Sequence, residues 1–157
     1  MQINISNLSE GAYTYELTEE ASVLKLPENL IGIVKTDVTL AKSINQLLLT
    51  VKASVKGVFV CDRCAEEYSE IITATFNIVY SWENDEELED DDDFHILAHD
   101  QNIIDISESV KEYLTISVPL KHLCNRTNCE IPMVIENEDA VLDPRWEKLR
   151  ELKKISN

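Results

Sequence analysis

Two stretches of the chain alternate between apolar and polar residues, which is the pattern of a β-strand with one buried face. In residues 47–60 the apolar side chains occupy the odd-numbered positions as far as Val55. In residues 68–82 they occupy the even-numbered positions from Ile72 onward. Because only a few residues separate the two stretches, they predict a long antiparallel hairpin whose tip lies between them.

The alternation changes phase at Gly57, after which Val58 and Val60 are the apolar positions. An isolated glycine at a change of phase favours a β-bulge, because one extra residue keeps both sets of side chains on the same face. We therefore expect a bulge in the first arm of the hairpin, close to its tip.

The spacing of apolar residues becomes helical later in the chain. Apolar and small residues recur at helical intervals at Ile106, Val110, Tyr113, Leu114 and Ser117. Asp105 and Glu108 have the spacing of a capping box at the start of this helix, and Pro119 ends it. Asp143 followed by Pro144 predicts a second, short helix near the C-terminus.

Weaker patterns complete the predicted architecture. The β-branched run 31–40 predicts a strand, residues 94–97 predict a short one, and residues 2–30 predict only short strands and turns. The expected fold is α+β: an antiparallel β-sheet with a long central hairpin, one main helix and a short C-terminal helix. A length of 157 residues predicts a single domain, 1–157.

The net charge of −16 is concentrated in one segment. Residues 83–93 contain nine of the 30 acidic side chains. Like charges at this density repel each other, which favours a solvated acidic loop. The alternative interpretation is a segment that mimics nucleic-acid charge or attracts a basic partner.

The four cysteines form two close pairs, Cys61 with Cys64 and Cys124 with Cys129. Two thiol pairs that a fold brings together make the tetrahedral sulfur site that Zn²⁺ accepts in structural centres. Two disulfides or free thiols are the alternatives. The sequence shows no signal-peptide pattern and no apolar run long enough to cross a bilayer, so we expect a cytoplasmic protein with reduced thiols. Because thiols stay reduced in this compartment, we expect a structural Zn²⁺ that stabilises the fold. We expect no membrane partner.

The C-x-x-C spacing of Cys61 and Cys64 also occurs in thiol–disulfide oxidoreductases. That chemistry needs the first cysteine at a helix N-terminus, whereas here a strand pattern follows Cys64. The sequence contains no phosphate-binding glycine loop, no HExxH helix and no GxSxG elbow. We therefore expect no catalytic residues and no small-molecule substrate. His122 is a substitute ligand if a cysteine is misplaced, and otherwise an exposed polar residue.

Five basic residues lie close to the cysteines in the sequence. They are the candidate contacts to RNA or to a partner, namely Lys52, Lys56, Arg63, Lys121 and Arg126. Three of them, Arg63, Lys121 and Arg126, are also placed to offset the negative charge that four thiolates leave on bound Zn²⁺.

The two cysteine blocks resemble those of a known family. Val58–Tyr68, with C-x-R-C between two strand patterns, is similar to a block of the YceD family, the large ribosomal RNA subunit accumulation proteins. Ile104–Glu108, the helix that follows and Val118–Lys121, which leads to Cys124, resemble a second block. The resemblance covers about residues 45–130 in the same order, with an acidic stretch between the blocks.

This resemblance implies a bacterial or organellar factor that is needed for normal accumulation or processing of large-subunit ribosomal RNA, and it carries no established catalytic residues over to this sequence. We expect it to bind a basic ribosomal protein, large-subunit rRNA or a pre-ribosomal particle. The acidic net charge favours the protein, because proteins that bind RNA directly usually present a basic surface. The alternatives are a zinc-stabilised interaction module unrelated to ribosomes and a C-x-x-C oxidoreductase.

Overall fold

A computed structural model describes residues 1–82, 93–98, 100–127 and 129 of the chain. The strands are β1 (Gln2–Asn4), β2 (Gly11–Glu20), β3 (Leu30–Lys42), β4 (Gln46–Val60), β5 (Glu67–Ser81), β6 (Phe94–Ile96) and β7 (Ile103–Asp105), and the helix is α1 (Ser107–Ile116). Within these ranges the fold is mostly β-sheet with one helix. The predicted C-terminal helix and residues 83–92 of the predicted acidic loop lie outside the described residues.

The main sheet has five strands in the order β2-β3-β4-β5-β6. The first four strands are neighbours in sequence and pair antiparallel, whereas β6 pairs parallel with β5. A second, two-stranded sheet joins β1 to β7. In the described part of the chain, no helix is both long enough and apolar enough to cross a membrane.

β4 and β5 form an antiparallel pair that runs without a register shift from Gln46 opposite Ser81 to Val60 opposite Glu67. The prediction of a bulge at Gly57 is wrong, because the buried positions of β4 continue in one phase from Leu47 to Phe59. Gly57 faces the core, and a Cβ at this position would overlap the Phe59 ring. The glycine therefore makes room for an aromatic side chain and does not shift the strand.

The irregularity of this sheet lies instead between β3 and β4. The register shifts between Ile31 and Lys35, and Gly32 has a φ of +84°. Glycine adopts this left-handed conformation without the steric penalty that other residues incur. The irregularity therefore lies in β3, the strand before the hairpin, and not in β4 at Gly57 as the sequence predicts.

Helix α1 covers the inner face of β4 and β5. Ile106, Val110 and Leu114 are fully buried, and the Tyr113 ring stacks on Phe76 with a centroid distance of 4.1 Å. The capping box predicted from Asp105 and Glu108 does not form, because the helix N-cap is Ile106 and has no side-chain hydrogen bond. Asp105 lies one residue earlier and accepts a 2.9 Å hydrogen bond from the backbone N–H of Ser107.

Candidate metal centre

Cys61 follows β4 directly, and a tight turn returns the chain to β5. The Cys61 carbonyl accepts a 2.9 Å hydrogen bond from the N–H of Ala65, and the Cys61 N–H donates a 2.9 Å bond to the Glu66 carbonyl. Ala65 adopts the left-handed conformation, with a φ of 56°. The turn therefore fixes Cys61 and Cys64 at the end of the long β4–β5 pair.

The chain after α1 returns to this end of the sheet and meets the first turn through a two-way contact. The Asp62 N–H donates to the His122 carbonyl, and the Asp62 carboxylate accepts from the His122 N–H, both at 2.7 Å. Arg126 adds an ion pair with Glu66 and a 2.7 Å hydrogen bond to the Glu67 carbonyl. These contacts hold the second cysteine loop against the first.

All four cysteine sulfurs lie within 4.8 Å of one another. The Sγ–Sγ distance is 3.6 Å between Cys61 and Cys129, and 3.7 Å between Cys64 and Cys124. Four thiolates at the usual Zn–S distance of about 2.3 Å are about 3.8 Å apart when the geometry is tetrahedral. Each observed pair joins one cysteine of each loop, so the geometry fits a metal ion better than it fits two disulfides, whose S–S bonds measure about 2.0 Å.

Backbone N–H groups donate hydrogen bonds to the Cys61 sulfur, which favours its thiolate form. The Cys61 Sγ accepts hydrogen bonds from the N–H of Cys124 at 3.4 Å and of Arg63 at 3.5 Å. The bond from Cys124 contributes most, and together with backbone hydrogen bonds from Cys64 and Arg63 it lowers the pKa of the Cys61 thiol to about 5. Burial instead raises the pKa of Cys64, and raises that of Cys129 to about 12. The cluster thus combines one thiol of lowered pKa with two thiols of raised pKa, and a metal ion would have to displace the protons of those two.

His122 is not the exposed polar residue that the sequence predicts. Its ring is half-buried and stacks on Phe59, with 4.4 Å between ring centroids and 15° between ring planes. The Nδ1 atom is buried, and among the described residues it has no hydrogen-bond partner. Sequence spacing gives no signal for this contact, because it joins the tip of β4 to a loop about 60 residues later.

The five basic residues separate into two groups. Arg63, Lys121 and Arg126 are exposed on the two cysteine loops. Lys52 and Lys56 are exposed on the outer face of β4, about 30 Å and about 17 Å along the strand from Cys61 at about 3.3 Å per residue. Lys52 also lies opposite Asp37 of β3. The fold therefore brings three of the five residues together beside the cysteines.

Comparison with curated proteins and with solved structures finds no significant match. The family model described as "Large ribosomal RNA subunit accumulation protein YceD" matches residues 49–153. The matched segment includes most of β4, all of β5 and α1, and all four cysteines. The family name indicates a general role in ribosome biogenesis. On this match over about two thirds of its length, the chain belongs to the YceD family.

Proposed function

We propose that this protein is a cytoplasmic, non-catalytic factor in biogenesis of the large ribosomal subunit, where it binds a basic ribosomal protein or the large-subunit rRNA. The family membership carries the ribosomal part of this proposal. The four-sulfur cluster, with two cysteines buried and two half-buried, supports a structural centre, because four cysteine ligands leave no open coordination position for a substrate.

The metal in this proposal is Zn²⁺, held by Cys61, Cys64, Cys124 and Cys129. Four thiolates are a soft ligand set, and their cross-loop spacings of 3.6 and 3.7 Å suit a tetrahedral ion. The two N–H···S bonds to Cys61 offset part of the negative charge of the centre. The ion would stabilise the fold by joining the end of the hairpin to the chain after α1.

Elemental analysis of protein purified without chelators tests the metal. We expect about one zinc per chain, and loss of the ion to a chelator should weaken folding by several kcal/mol because site formation is coupled to folding. The matched variants are Cys64→Ser, which removes a ligand, and Ser69→Ala, which changes an exposed residue on the neighbouring strand. A folded, reduced protein that contains less than about 0.2 zinc per chain would contradict a stoichiometric site.

For the partner, the net charge favours a basic ribosomal protein over naked RNA. A net charge of −16 repels phosphate at long range and attracts a cationic protein. The basic residues beside the cysteines oppose this effect only locally, and the Arg126 charge is already paired with Glu66. Binding to RNA would therefore depend mainly on Arg63 and Lys121, both exposed.

Parallel binding measurements against purified large-subunit ribosomal proteins and naked large-subunit rRNA decide between these partners. Near physiological salt, we expect a basic ribosomal protein to bind more tightly than the RNA, with an affinity that decreases as salt increases. The decisive variant combines Arg63→Glu with Lys121→Glu. Its control lies far from the cysteines and combines Lys52→Glu with Lys56→Glu. Sub-micromolar RNA binding that only the first variant abolishes would show that RNA is the partner.

A further inference from the structure

β2 is a long strand at the edge of the main sheet. It pairs with β3 over ten residues, Gly11–Glu20, without a register shift, and the described part of the sheet ends at this strand. Exposed edges are usually short, bulged or interrupted by lysine or proline, because their unpaired N–H and C=O groups invite another strand. β2 is longer than the typical strand of about five or six residues. It contains no lysine, no proline and no bulge.

The hydrogen bonds of the neighbouring strand identify which backbone groups of β2 face outward. The N–H of Ala21 donates a 2.9 Å bond to the Gly32 carbonyl, in the same register as the β2–β3 pairs. Hydrogen-bonded and non-hydrogen-bonded pairs alternate along an antiparallel ladder. The odd-numbered residues of β2 therefore bond to β3. The N–H and C=O groups of Thr14, Glu16 and Thr18 point away from the sheet.

The side chains of β2 present a different chemistry on each face. On the inner face, Tyr13, Tyr15 and Leu17 are only half-buried, because α1 covers β4 and β5. On the outer face, Glu16 and Glu20 are exposed, Asp37 lies beside Glu16 on β3, and exposed Lys35 lies beside Thr18. A strand that lies against this edge meets mainly apolar surface on one side, with Glu19 at its end, and on the other side the carboxylates of β2, with Lys35 one strand further in.

We propose that β2 binds an extended, basic segment of a partner protein as an additional strand of the sheet. Apolar side chains of the segment lie beside Tyr13 and Tyr15, and its lysine or arginine side chains lie beside Glu16 and Glu20. The proposal rests on the proposed function, since it names the surface on which a basic ribosomal protein binds. A second copy of this chain is disfavoured, because two acidic edges repel each other.

The first test uses a synthetic ten-residue peptide in which lysine and valine alternate. A peptide of the same composition, with the lysines grouped before the valines, is the control for alternation. We expect the alternating peptide to bind more tightly and to protect the amides of Thr14, Glu16 and Thr18 from hydrogen exchange. Absence of binding, or binding without protection of these three amides, overturns the proposal. A dimer that forms without peptide and protects the same amides also overturns the proposal.

The second test removes the outward donors. Proline is tolerated on an edge strand where its missing N–H faces solvent, so Thr14→Pro with Thr18→Pro should fold. This variant should lose roughly tenfold or more in affinity for the alternating peptide, because two backbone hydrogen bonds are lost. Thr14→Val with Thr18→Val keeps both donors and should bind like the parent. Parent-like binding by a folded proline variant overturns the proposal. If the proline variant does not fold, the exchange data on the parent decide.

The same variants separate this inference from the proposed function. If a large-subunit ribosomal protein binds the parent and the proline variant equally, the β2 surface is wrong while the ribosomal partner stands. If the alternating peptide binds at β2 but no ribosomal protein does, the β2 surface is supported and the proposed partner class fails.

Discussion

Gly57, Phe59 and His122 form a continuous contact between the inner face of the sheet and the second cysteine loop. The edge of the Phe59 ring lies close to Gly57, and the ring stacks on His122. The sequence shows Gly57 and Phe59 but not their contact. Alternation of apolar residues predicts the face on which each side chain lies, and it does not predict which side chains touch. The cysteine pairs, in contrast, are identified by residue type and spacing alone.

Gly57→Ala should therefore destabilise the protein, although alanine is usually preferred to glycine in a strand. Its Cβ would overlap the Phe59 ring, and overpacking of this kind costs about 1–3 kcal/mol in unfolding free energy. Denaturant unfolding of the purified protein, under the same conditions for variant and parent, measures the effect. In a Phe59→Leu background the cost should decrease, because the ring is absent. A Gly57→Ala protein as stable as the parent would contradict this account of the contact.

The cysteine pKa values predict that metal affinity depends on pH. At neutral pH Cys61, with a pKa of about 5, is ionised, whereas the raised pKa values of Cys64 and Cys129 keep both thiols protonated. Zn²⁺ must displace at least those two protons, so affinity should fall as pH falls, by at least about 100-fold per pH unit. Chelator competition at about pH 6 and about pH 8 measures the slope. A pH-independent affinity would show that the thiols are already ionised.

At the scale of elements, periodicity identified the strands that are buried on one face and missed the one at the edge. β4 and β5 have core residues at every second position over most of their length, so their alternation is visible in the sequence. The inner residues of β2, such as Tyr15, are only half-buried, and its outer face mixes threonine with glutamate. Its long pairing with β3 is a tertiary property that weak periodicity does not reveal.

The connection between β5 and β6 should require its length but not its sequence. β6 pairs parallel with β5, and parallel neighbours need a connection of about a dozen residues. Replacing residues 83–92 with a Gly/Ser linker of equal length should keep or raise thermal stability, since acidic repulsion is removed. A linker of about four residues should instead unpair β6 and expose Leu97, which is buried. Loss of the cooperative transition in the length-matched variant would show that the acidic side chains are structural.

At the scale of the whole molecule, family membership predicts a phenotype that the geometry does not. Deletion of the gene should lower mature large-subunit rRNA relative to small-subunit rRNA. Quantitative RNA electrophoresis of growing cells measures the ratio. Complementation with the parent should restore it, and complementation with Cys64→Ser shows whether the cysteine centre is needed. An unchanged ratio in the deletion strain would contradict a role in large-subunit biogenesis.

The architecture also imposes an order on events during synthesis. β2, β3, β4 and β5 are consecutive, so each can pair with its predecessor as soon as it emerges. β1 must wait for β7, since Gln2 pairs with Asp105. At a translation rate of about 5–20 residues per second, this interval lasts roughly 5–20 s. Throughout that time Ile3, fully buried in the finished protein, has no native partner in β7. Although β1 precedes the main sheet in the chain, it is thus among the last strands to be enclosed, and the nascent chain carries the apolar side chain of Ile3 without its β7 neighbours until α1 is about to appear.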